Sequence, residues 1–210
     1  VEENEIQDEL TSIRGMMERS SKFISLSGLS GIMAGIYALI GAAAAYFIIY
    51  KGESRDDYEG SYYSFNHFIN SDIGLLFVIA LLVLLASLVT GIILTNRQAK
   101  RKGQPLWGST SRSILFHMAL PLVAGGLVML IFVWRGYYGI VSPVSLIFYG
   151  LALVGASSFT FKDVQYLGIL EIILGLVAAC IPGYGLLFWA IGFGVLHIIY
   201  GSIMYFKYDR

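Results

Sequence analysis

Six runs of apolar residues, at about 23–50, 73–95, 113–134, 143–161, 165–181 and 185–206, limit what this chain can become. Each is close to the length needed to cross a hydrocarbon core of about 30 Å at about 1.5 Å per helical residue. In that solvent every backbone N–H and C=O needs an internal partner, which leaves only helices and closed barrels. The runs are continuous and do not alternate with period two, so they predict helices. The expected fold is all-α: a polytopic membrane bundle of six transmembrane helices. Composition agrees, with 13% charged residues where a soluble domain has about a quarter. Pro182-Gly-Tyr-Gly185 predicts a tight turn that folds spans five and six into a hairpin.

Several function classes drop out. The single cysteine, Cys180, lies in a span and permits no disulfide framework within the chain. A net charge of zero leaves no footprint for nucleic acid. No glycine-rich phosphate loop, nucleophile elbow or HExxH helix occurs, so there is no enzyme signature and no motif calls for a cofactor. The N-terminus is acidic and polar, unlike a cleavable signal peptide. Residues 1–22 instead predict a short amphipathic helix, with Ile6, Leu10, Ile13 and Met17 on one stripe. Its acidity suits protein contact better than anionic lipid.

Basic residues set the orientation. With both termini cytoplasmic, that side holds Arg14, Arg19, Lys22, Arg97, Lys100, Arg101, Lys102, Arg112, Lys162, Lys207 and Arg210. The opposite side holds only Lys51, Arg55 and Arg135. This asymmetry predicts cytoplasmic termini and makes the acidic, aromatic 51–72 loop external. Trp107, Trp134, Tyr137, Tyr138 and Tyr184 fall near the expected interfaces as belt residues.

The halves resemble each other faintly. Ala38-Leu-Ile-Gly-Ala42 with Phe47 matches Ala152-Leu-Val-Gly-Ala156 with Phe161. Gly74-Leu-Leu76 pairs with Gly168-Ile-Leu170, and Gly126-Leu-Val-Met129 with Gly201-Ser-Ile-Met204. A repeat of three spans would be inverted, as in many transporters, although Leu, Gly and Ala recur in any membrane helix.

Three ionisable groups lie within spans: His117, Glu171 and His197. Such groups are expensive in lipid and are expected to face protein or trapped water. Small residues mark helix-packing faces. Gly168 and Gly175 share the Glu171 face, Gly194 and Gly201 the His197 face, and Ser113, Ala124 and Gly125 accompany His117. The three are therefore expected to meet in the cytoplasmic half, with Tyr200 one turn from His197 as a hydrogen-bond donor. Pro121 cannot donate to the carbonyl of residue 117, so a kink with a small hydrated cavity is expected there. Gly28, Gly31, Gly35 and Gly41 give span one a small-residue face for close packing or for contact with a second copy.

Such a cluster has three readings. It can be a proton- or ion-linked site, a set of hydrogen bonds that fastens helices three, five and six, or a zinc site. The last is disfavoured because the ligands sit on separate helices.

Lys102-Gly-Gln-Pro-Leu-Trp107, Pro121-Leu-Val-Ala-Gly-Gly126 and Leu196-His-Ile-Ile-Tyr-Gly201 together resemble a family of uncharacterised bacterial six-span inner-membrane proteins. Its members are often encoded beside a small winged-helix transcriptional regulator. The resemblance implies a bacterial inner membrane and a cytosolic regulatory partner, and supplies no substrate. Two functions then compete ahead of a membrane metalloenzyme. One is a small transporter or channel-like protein using the polar site. The other is a sensor or scaffold that meets its partner through the N-terminal helix and the basic loop. The expected surroundings are membrane lipid, a second copy and that partner.

Overall fold

A computed structural model describes residues 27–52, 72–103 and 107–209. The expected 1–22 helix and most of the 51–72 loop lie outside the described residues. Among these residues the chain is helical, without strands, and six helices are long and apolar enough to cross a membrane. They are α1 (Gly28–Gly52), α2 (Asp72–Arg101), α3 (Ser109–Trp134), α4 (Val141–Ser157), α5 (Lys162–Cys180) and α6 (Gly185–Asp209). The second span runs beyond its expected end near 95 because Thr95–Arg101 continue the helix after the apolar run stops. α6 is not uniform: Ala190–Leu196 widen into a π-helical turn, and Tyr205–Asp209 form another.

α1 packs between α2 and α6, and α4 packs between α3 and α5. Exchanging the first three helices with the last three maps one set of neighbours onto the other. The symmetry stops at the centre, where α6 also touches α4 and α5. The larger buried apolar side chains follow from this: Leu146, Leu153, Val164, Leu167 and Met204 belong to α4, α5 and α6, whereas the buried apolar residues of α1 and α2 are alanines, Ala38, Ala42, Ala45 and Ala99. No residue in the most apolar stretch of α2 is buried. Its outer face, with Leu82, Leu85, Val89 and Ile92, is exposed for acyl chains.

Glycines set the close crossings. A Cβ on Gly35 would lie 2.6 Å from the Gly194 carbonyl, and one on Gly31 3.1 Å from the Gly201 Cα. Gly150 and Gly168 do the same for α4 and α5, each facing the other's carbonyl, while Gly175 abuts the Pro143 carbonyl. Gly41 meets Val83 of α2. The small-residue face of α1 is thus spent inside the chain, on α6 and α2. Without a hydrophobic drive between helices in lipid, such van der Waals contact is a main source of cohesion.

Both ends of the described chain meet on one side. The Asp209 carboxylate accepts from the Gly28 backbone N–H at 2.7 Å, from Ser27 Oγ at 3.3 Å and from Gln98 Nε2 at 3.0 Å. It therefore caps α1, complements the positive end of that helix and ties α2 to α6. Nearby, Asp163 accepts from Lys207 Nζ at 3.0 Å and from the Tyr208 hydroxyl at 2.9 Å, and Phe161 stacks on Tyr208. Asp209→Ala is expected to remove about 1 kcal/mol of stability through the lost cap, read as a lower thermal midpoint in detergent. An unchanged midpoint would show that water serves the α1 end equally well.

Candidate intramembrane polar site

Glu171 projects from the middle of α5 and is 0% exposed. It lies nine residues in from Lys162, about 14 Å along a helix rising about 1.5 Å per residue. That is the middle of α5, which begins before the apolar run does. His197 comes from α6, just after the π-turn, and is 6% exposed. Its Nδ1 is 3.0 Å from the Gly192 carbonyl oxygen, five residues back, and 3.5 Å from Glu171 Oε1.

A carbonyl oxygen can only accept, so Nδ1 carries the ring proton. In the neutral ring Nε2 then accepts from the Tyr149 hydroxyl of α4 at 2.8 Å. The shorter Nδ1 contact goes to Gly192, and the carboxyl stands beside it without a hydrogen bond of its own. Both Glu171 oxygens are buried and have no hydrogen-bond partner. The niche exists because residue 192 has no side chain: a Cβ there would sit 2.5 Å from Glu171 Oε2. Leu146 and Leu174 close the same space.

Aromatic rings hold the arrangement in place. Trp189, Phe193 and His197 recur at i+4 along α6, with ring centroids 5.2 Å and 6.0 Å apart. The Tyr149 ring lies against both Phe193 and His197, at 5.1 Å and 5.3 Å. At the far end of the same helix pair, Ser142 Oγ donates to the Gly185 carbonyl. The α4–α6 contact is therefore fixed at its end as well as at its centre.

Two expected members lie elsewhere. His117 lies exposed at the edge of the α3–α4 seam, away from the Glu171 niche; its Nδ1 pairs with the Ser113 carbonyl at 2.7 Å and its ring rests on Phe159. The inward face of α3 is the one carrying Met118 and Gly125, whose missing Cβ admits Phe148. Small residues occur on both sides of α3, so they gave no direction for His117. Tyr200 packs against the Leu153, Val164 and Leu167 cluster, and the phenol that reaches His197 is Tyr149. No sequence motif marked Tyr149, since a lone aromatic in a span reads as packing.

Pro121 lies inside α3. α3 continues through it as a helix, and the carbonyl it leaves unpaired, that of His117, faces Gly155 of α4. A Cβ on Gly155 would be 3.3 Å from that oxygen. Gly155 of α4 thus lets the two helices close over the freed acceptor.

Among the described residues no group of three His, Cys, Asp or Glu side chains could hold a metal ion. His117 is absent from the Glu171 niche, which removes the three-ligand zinc set. No protein-family model, curated protein or solved structure matches the chain.

Proposed function

We propose that this chain is a small ion-coupled transporter or channel-like protein of a bacterial inner membrane, with both termini cytoplasmic. One observation carries the reading: a fully enclosed carboxyl at the middle of α5, unpaired by hydrogen bonds, beside an imidazole 3.5 Å away. Ionisable groups at that depth are costly, about 2.5–3.5 kcal/mol even on insertion scales, and mark ion and proton pathways. The site is built wholly from the second three helices, α4, α5 and α6, and a π-helical irregularity of the kind frequent at functional sites stands beside it. The distribution of Lys and Arg supports cytoplasmic termini, and the resemblance noted above supports a bacterial inner membrane.

The test is ion movement in proteoliposomes. Purified full-length protein is expected to carry a small cation across the membrane, and Glu171→Gln is expected to abolish this while the variant elutes and melts as a folded protein. Flux that persists unchanged in Glu171→Gln would remove the carboxyl from the function.

A second reading has its own support. α2 projects past its apolar stretch with Arg97, Lys100 and Arg101 exposed, a basic end suited to a cytosolic regulatory partner or to anionic lipid. It anticipates no flux and loss of partner co-purification when residues 1–22 are removed.

A further inference from the structure

We infer that the ion handled at this site is the proton, relayed from Tyr149 through His197 to Glu171. This rests on the reading of the chain as ion-coupled and goes beyond it by naming the ion and the path.

The donor set decides the ion. Hard metal cations replace their hydration shell with several oxygens at once, usually carboxylates, carbonyls and waters. Glu171 shares its niche with Leu146 and Leu174, which have no oxygen to offer. The carbonyl beside it, that of Gly192, already accepts from His197 Nδ1. A proton needs one oxygen and one donor within reach, and both are present.

The path follows from the hydrogen bonds. They join Tyr149 of α4 to His197 of α6, with the Glu171 carboxyl of α5 next in reach of the same ring. A hydronium ion gives its proton to the Tyr149 oxygen and leaves as water, and the phenolic proton passes over 2.8 Å to His197 Nε2. As Nε2–H forms, the Nδ1–H bond breaks and that proton passes to an ionised Glu171 carboxylate, with Oε1 3.5 Å away. One proton has entered at Tyr149 and one has been gained at Glu171. The imidazole has changed tautomer, and neither it nor the phenol keeps a charge. Release from Glu171 and return of the ring to its Nδ1–H form complete a turnover.

The π-turn supplies the control. Nδ1–H faces two acceptors, the Gly192 carbonyl at 3.0 Å and Glu171 at 3.5 Å. In this structure the backbone holds it. A shift of the Ala190–Leu196 turn, the kind of helix irregularity often found at functional sites, moves the competing carbonyl and leaves the proton to Glu171. Tyr200 on α6 is the further titratable group beside Tyr149. Asp163 and Lys207 pair with each other nearer the α6 C-terminus, and Tyr37 of α1 is turned to Thr90 of α2.

Liposomes holding a pH-sensitive dye, with sodium or potassium gradients imposed in parallel, separate the outcomes. The wild type is expected to acidify the interior under a proton gradient, and Tyr149→Phe to slow this about a hundredfold, the scale of a lost proton-transfer group. Acidification at the wild-type rate in Tyr149→Phe overturns the relay and leaves ion coupling intact. Sodium or potassium movement that needs Glu171 but carries no protons overturns the choice of ion and again spares the parent reading. No movement of any of the three ions ends both. Should Tyr149→Phe not fold, nitrogen NMR of the wild type decides: His197 is expected as the Nδ1–H tautomer, and a bare Nδ1 overturns the path.

Discussion

Gly201→Ala is expected to cost about 3 kcal/mol and to lower the thermal midpoint of the detergent-solubilised protein sharply, the upper range for overpacking a tight contact. The added Cβ would lie 2.5 Å from the Ile32 backbone nitrogen and 2.7 Å from the Gly28 carbonyl oxygen. These are main-chain atoms of a regular helix, and no rotamer change can move them. α1 as a whole must back away from α6, which also strains the Asp209 cap at Gly28. Gly91→Ala and Gly126→Ala are the controls, because a Cβ at either meets nothing within 4 Å. Both are expected to stay within about 0.5 kcal/mol of the wild type. Equal losses at all three positions would mean that the substitution acts on the helices themselves and not on their crossing.

Glu171→Met is expected to raise stability by about 2 kcal/mol while abolishing ion movement. Replacing a buried ionisable group by an apolar side chain of similar size is often neutral or stabilising by about 1–4 kcal/mol, since the desolvation cost disappears. The niche suits methionine: Leu146 and Leu174 line it, and the carboxyl leaves no hydrogen-bond partner behind. His197 keeps its bonds to Gly192 and Tyr149. The measurement is a pair of melting curves with the flux assay beside them. A loss of stability of similar size would identify Glu171 as a fastener between α5 and α6, the bland alternative that the residue types alone also allow.

The six helices were legible because length and hydropathy report directly on the solvent a segment must enter. Their ends were less so: Thr95–Arg101 carries charges that hydropathy reads as a loop, yet it continues α2. Glu171 and His197 were found as expensive residues in apolar runs, and Gly168, Gly175, Gly194 and Gly201 gave the faces that turn them inward. The same reasoning failed for His117, where of the neighbouring small residues Ala124 is exposed and Gly125 buried. There the shape of Phe148 chose the side, and a shape across an interface leaves no trace in local spacing. Tyr149 was invisible for a related reason. Its role arises only when α4 brings a hydroxyl to an imidazole on a helix some fifty positions later, a |i−j| of 48.

The α1–α6 seam has a consequence for how the protein is made. Ser27 and Asp209 are 182 positions apart, a stretch that ribosomes take about 10 to 35 s to translate. For most of that interval the glycine groove of α1 lacks its α6 partner, and α2, whose most apolar stretch buries no residue, is the neighbour made first. A nascent chain stalled before α6 would present an open groove to any passing membrane helix, and to the proteases that survey such orphans.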